Sequence, residues 1–245
     1  MKVWKVGGHE LDQPAFLAGL AQAAAAVGQP VVIVHGGGKV IGELQQRLGL
    51  APVKVDGLRV TDEASLTVAQ MVLSGLVNKQ IVAALLATGV EALGLSGVDR
   101  GLLHARKLAY PGGDLGLVGE IVSVRVEILR ELAAQGVTTV ISPISLGLEG
   151  QIYNVNADSA AAAVAGALAA DQLDFVSNMP GVMANGRRLP TLNEAEAEKL
   201  IASGVIVGGM IVKVRAALTA VSQGAIQARI TNLDGLLQGG GTVIA

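Results

Sequence analysis

The feature that most constrains this chain is a repeated switch of hydrophobic period. Short runs rich in valine and isoleucine alternate with longer stretches of helical spacing: residues 2–6 then 13–27, and 30–35 then 39–48. Such alternation predicts βαβ units around a mostly parallel sheet. Later strands are expected at 92–96, 138–142, 174–177, 228–231 and 242–245, and helices at 61–88, 126–135, 157–170, 193–203 and 209–223. The predicted class is α/β, an open, mostly parallel sheet sandwiched by helices. Two stretches break the pattern. Residues 53–60 read as a hairpin turning at Asp56-Gly57, and 101–124 as short β segments joined by Pro111-Gly112-Gly113. No linker divides the chain, so two closely packed lobes are expected, residues 1–170 and 171–245, parted after the alanine-rich helix.

Composition excludes several functions. Eighteen basic and twenty acidic residues give a net charge of −2, which offers no electrostatic footprint for a nucleic acid. The mean hydropathy of +0.54 invites a membrane reading, but the longest apolar run, 159–170, is short of the roughly 18 to 20 residues a span needs. No membrane association and no secretory signal are expected. The chain has no cysteine, hence no disulfide, thiolate zinc site or iron–sulfur cluster. A cytoplasmic location is the default expectation.

The glycines carry the first chemical information. Gly7-Gly8 follows the first predicted strand and Gly36-Gly37-Gly38 the second. In an open α/β sheet, ligands sit at the carboxyl ends of strands, where backbone amides and helix N-termini accept anions. One glycine pair alone reads as a tight turn; two loops after consecutive strands suggest two anionic ligands meeting. Neither loop has the spacing of a Walker A motif or of GxGxxG.

Lys5 lies inside an apolar strand two residues before Gly7, and Lys213 inside Met210-Ile211-Val212-Lys213-Val214, just beyond Gly208-Gly209. Either lysine alone could be a snorkelling surface residue; both beside glycine turns favour phosphate contacts. Asn154-Val155-Asn156-Ala157-Asp158 closes a strand and opens the alanine-rich helix. A helix cap explains one of its polar residues, not three. Gly57-Leu58-Arg59-Val60-Thr61-Asp62 leaves Arg59 as a fork for a carboxylate or as half of a surface salt bridge.

Taken in order, 5–8, 34–38, 57–61, 154–158 and 209–214 make the chain resemble the amino-acid kinase family over essentially its whole length. Within that family the likeness is strongest to the kinases of arginine biosynthesis that phosphorylate the side-chain carboxylate of N-acetyl-L-glutamate. The resemblance implies that Lys5 and Lys213 meet the transition-state charge and that Asp158 orients them. It implies that Gly37, Gly38, Arg59 and Asn154 hold the amino acid. Gly7 and Gly8 would face the transferred phosphoryl group, and Ser177, Asn178, Gly181, Val182, Gly208 and Gly209 the nucleotide. MgATP is the implied co-substrate, with magnesium held mainly by the ATP phosphates and by no dedicated protein metal site.

Departures from the family pattern at Asn178 and at Gly208-Gly209 make the adenosine contacts the weakest part of this transfer. His9 and His35 flank the two glycine loops, yet a carboxylate with an ordinary pKa near 4.3 is already ionised at pH 7 and needs no base. The resemblance further implies a homodimer joined through the first lobe. The strand at Lys2 leaves no room for the N-terminal helix of arginine-inhibited relatives, and 231–237 lacks their glutamate-containing motif, so insensitivity to arginine is expected. Two other readings stand beside this one: a kinase of carrier-protein-linked aminoadipate in lysine biosynthesis, and a non-catalytic nucleotide-binding protein of the same fold. The second could dispense with Lys5, Lys213 or Asp158.

Overall fold

A computed structural model describes residues 1–8 and 11–244. An eight-stranded sheet runs through the molecule in the order Thr191–Leu192, Thr242–Ile244, Ala228–Thr231, Gln172–Val176, Lys2–Val6, Val31–His35, Thr138–Ser142 and Ala92–Ser96. Every neighbouring pair is parallel except Ala228–Thr231 with Thr242–Ile244. The strands expected from sequence at the centre of the sheet are therefore present within a residue or two. Helices flank them: Pro14–Val27 and Gly38–Arg47 after the first two strands, then Val126–Ala134, Ala157–Leu168, Glu194–Ala202 and Gly209–Ser222.

The alanine-rich helix Ala157–Leu168 explains its own composition. Ala160, Ala161 and Ala165 are fully buried, as are Ala217 and Ala220 of the facing helix Gly209–Ser222. Small side chains let the two helices approach closely; a Cβ on Gly166 would lie 2.7 Å from that of Gln223. Interiors are packed to crystal-like density, so one added methyl at such a contact forces the helices apart.

The two irregular stretches are resolved differently. Residues 53–60 form the expected hairpin, Lys54–Val55 against Leu58–Arg59, with Asp56 and Gly57 both at positive φ, 48° and 83°. The segment 101–124 supplies two antiparallel strands, Leu103–Lys107 and Val118–Val124. They close a four-stranded barrel with Ile144–Gly147 and Ile152–Val155, a closure the alternation did not suggest.

The helix foreseen at 61–88 spans Glu63–Leu86 but is not uniform. Met71–Val77 is a π-helical segment between two α-helical ones, Glu63–Gln70 and Asn78–Leu86. This helix has the length and hydropathy of a membrane span, 24 residues with an 18-residue window of mean hydropathy 1.4. Its buried face, including Val68, Val72, Leu73, Val77, Ile81 and Leu85, belongs to the apolar core around the first two strands, the position of a core helix in a globular domain.

Candidate active site

The carboxyl ends of Lys2–Val6, Val31–His35 and Gln172–Val176 meet at a cavity of about 360 Å³. Its lining brings together Lys5, Gly7, Gly8, Gly37, Gly38, Arg59, Asn154, Asp158, Ser177, Gly209 and Lys213. These residues come from widely separated parts of the chain, and each belongs to the motifs or the resemblance described above.

Glycine is required here by contact. A Cβ on Gly8 would stand 2.5 Å from the Gly37 nitrogen and 2.9 Å from that of Gly38, so the two loops touch backbone to backbone. On the other side, a Cβ on Gly37 would meet Leu73 of the π-helical segment at 2.7 Å. Gly36 N–H donates to Val6 C=O at 3.1 Å and Gly7 N–H to Val176 C=O at 3.3 Å, fixing both loops to the neighbouring strand ends. The helices beginning at Gly38 and Gly209 have glycine caps and no side-chain cap, whereas those after Asp62, Asn156 and Asn193 are capped by a side chain. The Gly38 helix thus leaves its leading amides to an anion; in the Gly209 helix Met210 and Ile211 N–H donate to Val207 and Gly208 C=O, so its contribution is the Gly209 N–H and the helix dipole.

Lys5 is 5% exposed although it sits in a central strand, between Val34 and Phe175 in register. A buried ammonium requires a counter-charge. Asp158 supplies it, with Oδ1 2.9 Å from Nζ. The contact is an ion pair without the alignment of a directed hydrogen bond. Lys213 lines the same cavity from one turn inside its helix, beyond Gly208 at φ 56°.

The three polar residues of 154–158 have separate tasks. Asn156 is the cap, its side-chain oxygen accepting from the amides of Asp158 at 2.9 Å and Ser159 at 3.2 Å. Asp158 is thereby free to pair with Lys5. Asn154 donates to the Thr61 hydroxyl at 3.2 Å, and Thr61 donates on to Arg59 C=O at 2.8 Å, so two of the predicted substrate residues share one network.

Arg59 is buried, and that burial pulls its guanidinium below its usual pKa, although an arginine remains charged at any physiological pH. It donates to Gly38 C=O at 2.7 Å and to the side-chain oxygen of Gln45; Gln45 in turn donates to Ser65 at 2.9 Å. The surface salt bridge left open by sequence is not what it makes; no carboxylate pairs with it among the described residues. Gln45 was missed by sequence reading. Its signal was available, because it lies four residues after Ile41 on the buried face of the same helix.

His35 is fully buried behind the glycine loop. Burial, opposed in part by its bond to Gly36 C=O and aided by the charge of Lys79, lowers its pKa to about 4. Nδ1 lies 3.1 Å from Gly36 C=O, and Nε2 lies 3.3 Å from the Asn78 amide nitrogen. The same Asn78 nitrogen also donates to Val140 C=O and Leu95 C=O. That pattern assigns the Nδ1–H tautomer, with Nε2 accepting. Asn78 was the other residue missed. His9 lies outside the described residues.

Not every nucleotide-site expectation converges on the cavity. Val182 is buried in the core and its N–H donates to Thr242 at 2.8 Å; Gly181 packs against Thr242 and Arg188. Asn178 is exposed next to Ser177, and Gly208 lines an adjoining space. The structure therefore gathers the lysines, the glycine loops and the amino-acid residues, and leaves these four outside the cavity wall.

Lys5, Lys54 and Lys213, a carboxylate paired with the first of them, and glycine-led helix starts around one small space describe an α/β phosphotransferase site for anionic reactants. Comparison with known proteins agrees: the Amino acid kinase family profile matches residues 1–232, and the chain belongs to that family. It is 55% identical over 243 residues to the acetylglutamate kinase of Roseiflexus castenholzii, covering 99% of this chain and 93% of the relative. It is 44% identical over 252 residues to the acetylglutamate kinase of Methanopyrus kandleri, covering both chains in full. Among solved structures, smu.665 from Streptococcus mutans superposes with a TM-score of 0.85 at 29% identity, over 100% of this chain and 98% of the other.

Proposed function

We propose that this protein phosphorylates the side-chain carboxylate of N-acetyl-L-glutamate with ATP, giving N-acetyl-L-glutamyl 5-phosphate for arginine biosynthesis. The observation that carries the reading is that the Lys5–Asp158 pair and Lys213 line one cavity with two contacting glycine loops, in a chain more than half identical to an acetylglutamate kinase.

The chemical obstacle is charge. An anionic carboxylate must approach an anionic γ-phosphoryl group, and negative charge then grows on the β–γ bridging oxygen. Lys5 and Lys213 offset that repulsion, and the amides at Gly8 and at the Gly38 and Gly209 helix starts hold the phosphoryl oxygens. Asp158 keeps the Lys5 ammonium at one position, so little reorganisation accompanies the reaction. Arg59 receives the α-carboxylate and Asn154 the amide end of the substrate. No side chain needs to take a proton, because the nucleophile is already ionised. His35, buried behind its loop and neutral, is not placed to act as a base.

Among the described residues lining the cavity, Asp158 is the one carboxylate, and it is paired with Lys5. A donor set of that kind suits magnesium carried on the ATP phosphates rather than in a protein cage. When bound, such a metal would further neutralise the phosphate charge. The nucleotide lies on the 171–245 side, against Ser177, Asn178 and the Gly208-Gly209 helix start, with the amino acid on the 1–170 side. A homodimer is supported by the apolar residues left exposed on the Glu63–Leu86 helix, Met71, Leu76 and Leu86.

Hydroxylamine trapping of the acyl phosphate tests the reaction. With MgATP, N-acetylglutamate should give hydroxamate and glutamate, aspartate and aminoadipate little or none; preference for any of the other three would overturn the reading.

A further inference from the structure

The active-site cavity does not end where the proposed reaction ends. Gly57, Leu58, Val118, Asn156, Gly209 and Val212 line both it and a second space of about 900 Å³. That second space lies between the barrel strand Val118–Val124 and the helices Ala157–Leu168 and Gly209–Ser222. Ile121, Ala162, Ala163, Ile211 and Ala216 give it largely hydrocarbon walls. Of the residues given to the reaction, Gly208 and Gly209 on the nucleotide side and Asn156 beside Asp158 line it, whereas Lys5, Asp158, Lys213, Arg59 and Asn154 do not.

The residues at the junction say which part of the substrate faces it. Leu58 immediately precedes Arg59, and Val118 is the register partner of Asn154 on the adjoining barrel strand. Both polar residues assigned to the amino-acid head are thus flanked by an apolar residue that also walls the second space. The acyl group is carried by the amide nitrogen on the same α-carbon as the carboxylate given to Arg59, so it falls at that junction. An acetyl group ends there in a single methyl, which fills a small part of the volume beyond.

We propose that the second space is an acyl pocket, and that the enzyme phosphorylates N-acyl-L-glutamates whose unbranched aliphatic acyl chains run from butyryl to octanoyl. This rests on the reaction assigned above and keeps its chemistry. The γ-carboxylate oxygen bonds to the γ-phosphorus, the bond to the bridging oxygen breaks, and ADP leaves with the electron pair. The acyl chain runs from Asn156 along the helix towards Ala163, about 10 Å away at 1.5 Å per residue, a distance comparable to an octanoyl chain.

The test is a substrate series of N-acetyl-, N-butyryl-, N-hexanoyl- and N-octanoyl-L-glutamate with MgATP, read by ADP release and by hydroxamate formation. Transfer of a methylene from water to a hydrocarbon wall favours binding by up to roughly fourfold. KM for octanoylglutamate should therefore fall at least tenfold below that for acetylglutamate, with kcat within threefold. Ala163→Trp and Ile121→Trp, on two different walls and outside the catalytic residues, should raise KM for octanoylglutamate at least tenfold and leave acetylglutamate kinetics unchanged. A kcat/KM for butyrylglutamate below a tenth of that for acetylglutamate overturns the proposal. So does an equal effect of both tryptophan variants on short and long substrates. Failure of acetylglutamate itself to react would refute the reaction instead. Calorimetric binding of octanoyl- against acetylglutamate then still decides the pocket, with no tighter binding of the longer chain overturning it.

Discussion

Replacing His35 by glutamine should flatten the acid limb of the protein's stability curve. His35 has a folded pKa of about 4 against an ordinary 6.5, so between those values the unfolded chain binds a proton that the native protein refuses. Stability from this group is therefore fully present above pH 6.5 and is lost as pH falls towards 4. The limit is 2.5 pKa units at 1.36 kcal/mol each, about 3 kcal/mol; at pH 5 about 2 kcal/mol of it has gone. The geometry explains the refusal. A proton on Nε2 would face the Asn78 amide nitrogen, and Asn78 cannot reverse its amide without turning its oxygen onto the carbonyls of Val140 and Leu95. Urea unfolding at pH 7.5 and pH 5.0, in wild type and His35→Gln, isolates the effect, because carboxylates and the other histidines contribute equally to both proteins. Wild type should lose about 2 kcal/mol more than the variant across that interval. Equal losses, within half a kcal/mol, would refute the neutral buried imidazole.

Other outcomes follow from the site. Lys213→Ala should lower kcat about a hundredfold or more with little change in KM for acetylglutamate, because it meets charge that develops in the transition state; steady-state kinetics decide. Arg59→Ala should do the reverse, raising KM more than it lowers kcat, and if both variants changed only KM the division of roles would be wrong. Gly8→Ala drives a methyl into the Gly37 and Gly38 backbone and should abolish turnover while circular dichroism stays native. Asn156→Ala should destabilise by about 1 kcal/mol through the lost cap, measured by thermal unfolding, and lower kcat by loosening Asp158.

The fold class was legible in the alternation of hydrophobic periods, and the residues that meet at the cavity in the breaks in that pattern. Lys5 was legible because a charge inside a Val/Ile run contradicts its surroundings, and the glycine loops because two of them follow consecutive strands. Gln45 and Asn78 were not read, since a polar residue on an apolar helix face looks like an ordinary surface position until its partners, Arg59 and His35, are seen beside it. The π-helical segment at Met71–Val77 left no mark, as its residues would sit equally well in an α-helix. The barrel was missed for a different reason. Ile144–Gly147 and Ile152–Val155 are four-residue strands whose pairing with 103–107 and 118–124 depends on contacts remote in sequence. The nucleotide residues Gly181 and Val182 were carried over from a resemblance, and the local packing puts Val182 in the core.

The position of Lys2–Val6 at the middle of the sheet has a consequence for synthesis on the ribosome. Its partner on one side, Val31–His35, emerges soon after it, but its partner on the other, Gln172–Val176, follows some 170 residues later. At about 5–20 residues per second that is on the order of ten to thirty seconds. Throughout that interval one edge of an apolar strand carrying Lys5 remains unpaired, and Asp158 has not been made when the strand first appears. The nascent chain thus presents a sticky edge interrupted by a bare ammonium, the kind of charge that blunts edge-to-edge association. The lysine proposed for phosphoryl transfer would also guard the half-made sheet against aggregation.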